Sequence, residues 1–322
     1  MLLESDRGKP ESLGDDRLRL MFTCCHPASA QEAQVALTLR LLGGLSVAEI
    51  ARALLVDEAA MAKRLTRAKQ KIAVNRVPYR IPSNAELPDR LSSVLAALYL
   101  ILNEGYLSSR PDVAIRADLC AEAIRLARIL ADLVPDESEA AGLLALMLLT
   151  EARRTARIEN GSLVSLPEQR RWQWDADLIA EGHAIVRECL RRNRPGPYQV
   201  QACINAVHTE ATTASETDWR QIVALYDQLF SLISTPVVAM NRAIAVAEVE
   251  GPEAGLAILN TLDLNGYHAF DAARADLLRR RGSLAQAASA YFRAIELTAN
   301  SAERRFLAGR IAEFPDTEGP GT

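Results

Sequence analysis

The stretch from Leu45 to Arg76, LSVAEIARALLVDEAAMAKRLTRAKQKIAVNR, holds more local folding signals than any other part of the chain. Ser46 can cap a helix, and Glu49, three residues on, can reach back to the cap's amide to complete a capping box. Ile50, Ala51 and Leu54 make the apolar face of this short helix. Val56 and Asp57 fall where a turn ends and an Asp side chain caps a second helix. In that second helix Met61, Leu65, Ala68 and Ile72 recur at steps of four, three and four, which predicts a single buried stripe. Two capped helices joined by a short turn constitute a helix-turn-helix. Its solvent side then carries Lys63, Thr66, Arg67 and Gln70.

Charge gives this element a direction. Between Ala59 and Ala85 there is no acidic residue, whereas Lys63, Arg64, Arg67, Lys69, Lys71, Arg76 and Arg80 are basic, in a chain of net charge -4. A basic run on an acidic protein suits a phosphate-binding face, because each cation that neutralises a phosphate releases condensed counterions. A solvated helix face has the same composition. The capping box, the short turn and the stripe occurring together favour DNA binding.

The remaining composition points to an all-α fold. Of 322 residues, 49% are hydrophobic but only 5% aromatic, so the core is built mainly from Leu, Ala, Val and Ile, a mixture that favours helices. The length suits two domains. No apolar run reaches the roughly 18 residues of a membrane span, and the polar start MLLESDRGKPESLGDDR is not a signal peptide, so a cytoplasmic location is expected. Cys24, Cys25, Cys120, Cys189 and Cys203 show no CxxC spacing and are odd in number, against a disulfide framework. Cys24, Cys25 and His26 read as a buried helix end rather than a metal site, since neighbours on a helix diverge and no second pair lies nearby.

No catalytic, cofactor or metal site is expected. His183, His208 and His268 show no HxxxH or HExxH spacing, and there is neither a P-loop nor GxGxxG. The polar groups on apolar helices, Glu104 with Asn103 and Tyr106, Asn241 with Arg242, and His208 with Glu210, read as hydrogen-bonded struts.

Along the chain, residues 1–14 read as a linker, and helices are expected over about 16–25 and 30–42, ahead of the helix-turn-helix. The module therefore spans 15–76. Pro78, Pro82 and Pro88 make 77–88 a second linker, since each proline keeps its predecessor out of the helical region. A helical domain follows over 89–314, with one helix carried to about residue 156, a hairpin around Asn160 and Gly161, and a disordered tail over 315–322. Near its end Gly251 and Gly282 lie 31 residues apart, close to the period of about 34 residues of a tetratricopeptide repeat. Ala287, Tyr291 and Ala294 fit the small-aromatic-small positions of such a repeat's second helix.

The run RLRLMFTCCHPASAQEAQVALTLRLLGGLSVAEIARALLVDEAAMAKRLTRAKQKI, and within it FTCCHP and LGGLSVAEIA, with NEGY further on, resembles the fourth region of a bacterial RNA polymerase sigma factor of the extracytoplasmic-function type. The similarity is to the subgroup with a long C-terminal tetratricopeptide-like extension. The resemblance implies binding to the promoter minus-35 element and to the beta-subunit flap of the polymerase core. It places the DNA-reading residues at Ala62, Lys63, Thr66 and Arg67, with Arg64 and Lys69 toward the backbone and with Gln70 and Lys71 completing the DNA-binding set. Arg67 suits either a guanine edge or a phosphate. A sigma factor of this type begins with a second-region domain that melts the minus-10 element; nothing before Leu18 could form it, so this chain alone is not expected to direct initiation. The extension is expected to regulate in cis or to take a peptide or protein ligand on its concave face. The alternative is a helical-repeat adaptor with no sequence-specific DNA binding.

Overall fold

A computed structural model describes residues 16–314 apart from positions 55, 84 and 109, so the linker expected over 1–14 and the tail expected over 315–322 lie outside the described residues. Among the described residues the fold is all-α, with fifteen α-helices and one two-stranded hairpin. The chain divides into two compact units between Glu104 and Gly105.

The first unit holds α1 (Asp16–Cys24), α2 (Gln31–Leu41), α3 (Val47–Ala53), α4 (Glu58–Val74) and most of α5 (Pro88–Tyr106). The capping box at the start of α3 forms as the sequence predicts: Ser46 Oγ accepts from Glu49 N at 3.2 Å, and the Glu49 carboxylate accepts from Ser46 N at 2.5 Å. Asp57 caps α4 by accepting from Ala60 N at 2.9 Å. The turn from α2 to α3 needs both its glycines. Gly44 sits at φ 63°, and a Cβ on Gly43 would meet Leu39 O at 2.8 Å. Arg40 closes this turn by donating to Leu45 O at 2.7 Å. Met61, Leu65 and Ala68 are buried, with Leu37, Leu39, Leu45 and Ile50 in the same unit's core, whereas Ile72, expected to extend the stripe, is only half-buried.

The apolar face of α5 is buried at Leu91, Val94, Leu95, Leu98 and Leu102. Arg90, 3% exposed, donates to Phe22 O at 3.3 Å and pairs with Glu86 at 3.5 Å. This explains why the contacts divide the chain at 104/105, well past the proline segment where the sequence sets the second domain's start. Prolines mark where the chain is extended, and the buried face decides which side it joins.

Ser46→Ala is expected to destabilise the first unit by about 1 kcal/mol, since it removes one acceptor and releases its Glu49 partner. Denaturant unfolding of the full chain, followed by hydrogen exchange over α3, measures this; unchanged protection there would show the cap to be inert.

The second unit contains α6 (Ala117–Leu133), α7 (Ser138–Glu151), α8 (Ala176–Arg192), α9 (Pro197–Glu210), α10 (Trp219–Leu232), α11 (Pro236–Glu250), α12 (Pro252–Leu259), α13 (His268–Arg280), α14 (Leu284–Leu297) and α15 (Ser301–Ala312). Helix α7 is buried all round, from Leu143 to Leu149, and packs against α6, α8 and α9. A helix apolar on every side belongs at the centre of a helical stack. The sequence carries it to about residue 156; the structure ends it at Glu151, because the chain turns through a single 3-10 turn, Arg154–Ala156, into the hairpin β1 (Ile158–Glu159) and β2 (Ser162–Leu163). Asn160 at φ 51° and Gly161 at φ 74° supply the two positive angles that a two-residue hairpin turn requires.

Towards the end of the chain helices pack as sequential pairs, α11 on α12 and α13 on α14. Gly251 and Gly282 take φ 96° and 85° at the two expected turns. Ala287, Tyr291 and Ala294 all face the core beside Leu277 and Leu307.

Candidate nucleic-acid interface

Helix α4 is held by one face only. Its buried residues Met61, Leu65 and Ala68 turn inward, and the helix packs on both α2 and α3. The opposite side is exposed at Ala62, Lys63, Thr66, Arg67, Lys69, Gln70 and Lys71. At about 1.5 Å of rise per residue, Lys63 and Lys71 stand about 12 Å apart along the axis, comparable to the width of a B-DNA major groove.

Arg64 departs from this face. It is half-buried, and its guanidinium pairs with Glu32 of α2 at 2.6 Å, so its charge already serves to hold α4 on α2. Arg80, counted in the basic run, is likewise occupied: two hydrogen bonds of 2.9 and 3.0 Å tie it to Glu86. That contact and the Ser83 amide hold the Glu86 carboxyl down to about 2. Lys63, Arg67, Lys69, Lys71 and Arg76 have no carboxylate partner among the described residues. Arg76, at φ 47° just beyond the helix, extends the basic face past its end. Thr66 donates its hydroxyl proton to Ala62 O at 3.0 Å, which leaves the oxygen as an acceptor.

Several other polar groups singled out by sequence contact neighbouring helices. Arg242 pairs with Asp227 at 2.5 Å. His208 meets Trp219 edge-on at 5.2 Å, and burial, helped by Arg153 and Arg171, pushes its pKa down to about 3, so it is neutral. His183 bonds Thr209 at 2.8 Å, and Glu104 is buried. Burial raises Cys24 and Cys25 to about 12, well away from reactive thiolates. Among the described residues no three His, Cys, Asp or Glu side chains gather as a metal site, and no helix is long and apolar enough to cross a membrane.

Helices α2 to α4, with their buried stripe and exposed basic face, define a helix-turn-helix of sigma type: residues 30–72 match the family Sigma-70, region 4. The chain is thus a sigma-factor-like protein with a DNA-binding, transcription-factor domain. Residues 90–190 match a family of unknown function (DUF6596). An uncharacterized protein of Rhizobium meliloti (strain 1021) is 44% identical over 296 residues, which cover 91% of this chain and 70% of that protein. The chain belongs to the same family as that protein. No solved structure matches.

Proposed function

We propose that the module over 15–76 docks α4 in the major groove of the promoter minus-35 element, as part of a sigma factor of the extracytoplasmic-function type bound to the beta flap of RNA polymerase. The observation that carries this is the exposed face of α4, where Lys63, Arg67, Lys69 and Lys71 stand without a carboxylate partner. Lys63 and Arg67 reach base edges or phosphates, while Lys69, Gln70 and Lys71 follow the backbone. Ala62 permits close approach, and Thr66 offers an acceptor. Arg64 acts through Glu32 and not through DNA.

The second unit, from residue 105 to 314, is read as a tetratricopeptide-like regulatory extension that takes a peptide or protein partner. The paired helices and the open groove of about 570 Å³ lined by Phe270, Arg274, Arg293 and Leu297 support this.

Binding of the full chain to a promoter duplex at several salt concentrations tests the proposal. Lys63→Ala with Arg67→Ala is expected to weaken binding by about 2–4 kcal/mol, roughly 30-fold or more, and to flatten the salt slope by about 1–2. Arg64→Ala is expected to change the slope little. If the double variant binds with unchanged affinity and slope, α4 is not the DNA face, and flap binding without duplex binding would favour the adaptor reading.

A further inference from the structure

Arg153 stands just past the end of α7 and is 8% exposed. Its Nη2 donates to Asn205 Oδ1 at 2.5 Å, but its Nε is buried without an acceptor. Among the described residues no carboxylate acts on it. The groups that do are Arg157, which repels it, and the hydroxyls of Tyr106 and Tyr226. Among the described residues the other deeply buried arginine, Arg90, has Glu86 as its counterion.

A second cation reinforces the first. Arg171 donates to His208 O at 2.6 Å, Ala211 O at 2.5 Å and Thr217 Oγ1 at 3.1 Å, so it closes the end of α9 with neutral acceptors. Arg153 disfavours the charge on Arg171, which Glu216 supports, and both arginines help keep His208 neutral. Below Arg171, at 4.8 Å, lies the ring of Trp174, 7% exposed, whose Nε1 also has no acceptor. The bond from Asp175 N to Ala152 O, 2.9 Å, brings the residue after Trp174 to the residue before Arg153. Arg157, over the Tyr106 ring at 4.0 Å, adds a third positive charge, tempered by Glu303.

Arg153 Nε and Trp174 Nε1 are thus two buried N–H donors without an acceptor, on segments joined by the bond from Asp175 N to Ala152 O, and among the described residues no carboxylate pairs with Arg153. An unpaired buried cation is strongly unfavourable, and a guanidinium is the side chain best shaped for an oxyanion. We propose that the second unit binds a small oxyanion, a carboxylate or a phosphate, at Arg153 Nε, with Trp174 Nε1 as a second donor and Arg171 as the supporting charge. Entry requires the irregular segment between α7 and α8 to open, so the extension is a candidate sensor of a small anionic metabolite as well as a docking surface. The proposal does not depend on promoter binding.

Thermal unfolding of the full chain at constant ionic strength provides the test, with inorganic phosphate in one arm, succinate in another and sodium chloride as the control. Millimolar phosphate or succinate is expected to raise the Tm by roughly 2–4 °C over chloride. A rise with phosphate alone identifies a phosphoryl ligand, and one with succinate alone a carboxylate. Arg153→Gln is expected to abolish the rise, and Trp174→Phe, which keeps a ring in the core, to diminish it should the first variant fold poorly. Lys63→Ala with Arg67→Ala is expected to respond as the unaltered chain does. No rise with either anion, or an equal rise in Arg153→Gln and Trp174→Phe, overturns the proposal.

Discussion

Gly142→Val is expected to destabilise the second unit by about 3 kcal/mol or more, a fall in Tm of roughly 6–12 °C. Gly142 lies inside α7, where a Cβ would meet Gln199 Cγ at 2.6 Å, Gln199 N at 2.8 Å and Gln199 Cα at 2.9 Å. Two of these three atoms are backbone, so no rotamer change can make room. Nor can the start of α9 drift away, because Glu139 accepts from Tyr198 N at 3.0 Å and from Gln199 N at 3.1 Å, while Gln199 Nε2 holds Arg194 O at 2.7 Å. Helix propensity works the other way: replacing a helical glycine by alanine gains about 1 kcal/mol. For Gly142→Ala this gain partly offsets an overpacking cost of about 1–3 kcal/mol, and a small net loss is expected. Valine forfeits most of the gain and adds two methyl groups to the clash, so overpacking dominates. Thermal and denaturant unfolding of both variants decides the matter; near-native stability of Gly142→Val would show that α7 and α9 can separate at little cost.

The contrast between Gly142 and Ser46 shows what the sequence makes legible. Ser46 and Glu49 interact three residues apart, and Met61, Leu65 and Ala68 share a face through helical geometry alone, so the outline of the candidate interface could be read from spacing. The same holds for the turn at Asn160 and Gly161, where residue type states the backbone angle. What spacing does not carry is partnership at long range. Arg64 looked like its basic neighbours until Glu32, on another helix, claimed it. Arg90 gave no sign that it would bind the Phe22 carbonyl. Nothing in the spacing around Gly142 shows that it marks the place where another backbone approaches. The spacing around Arg153 carries no mark of its surroundings, and only the fold buries it with no carboxylate acting on it among the described residues.

Tyr291 is where residue type and packing agree most closely, and Tyr291→Ala is expected to cost about 3–5 kcal/mol. The side chain is 2% exposed at the centre of α14, in a core shared with Leu277, Leu278 and Leu307, and its ring lies 6.2 Å from that of Phe314. Its neighbours along the buried face of α14 are Ala287, Ala290 and Ala294, none of which can extend into the space a lost ring would leave. The cavity term is therefore expected to persist in full rather than relax away. The hydroxyl contributes separately through a hydrogen bond with Arg279, which also holds Asp276 at 2.7 Å. Because Arg279 keeps that partner, Tyr291→Phe is expected to cost only about 1 kcal/mol. Hydrogen exchange over α13 and α14, measured alongside global unfolding, separates loss of this pair from loss of the whole unit. Protection is expected to collapse in Tyr291→Ala and to survive in Tyr291→Phe. Equal losses in the two variants would shift the stabilising role from the buried ring to the bond with Arg279.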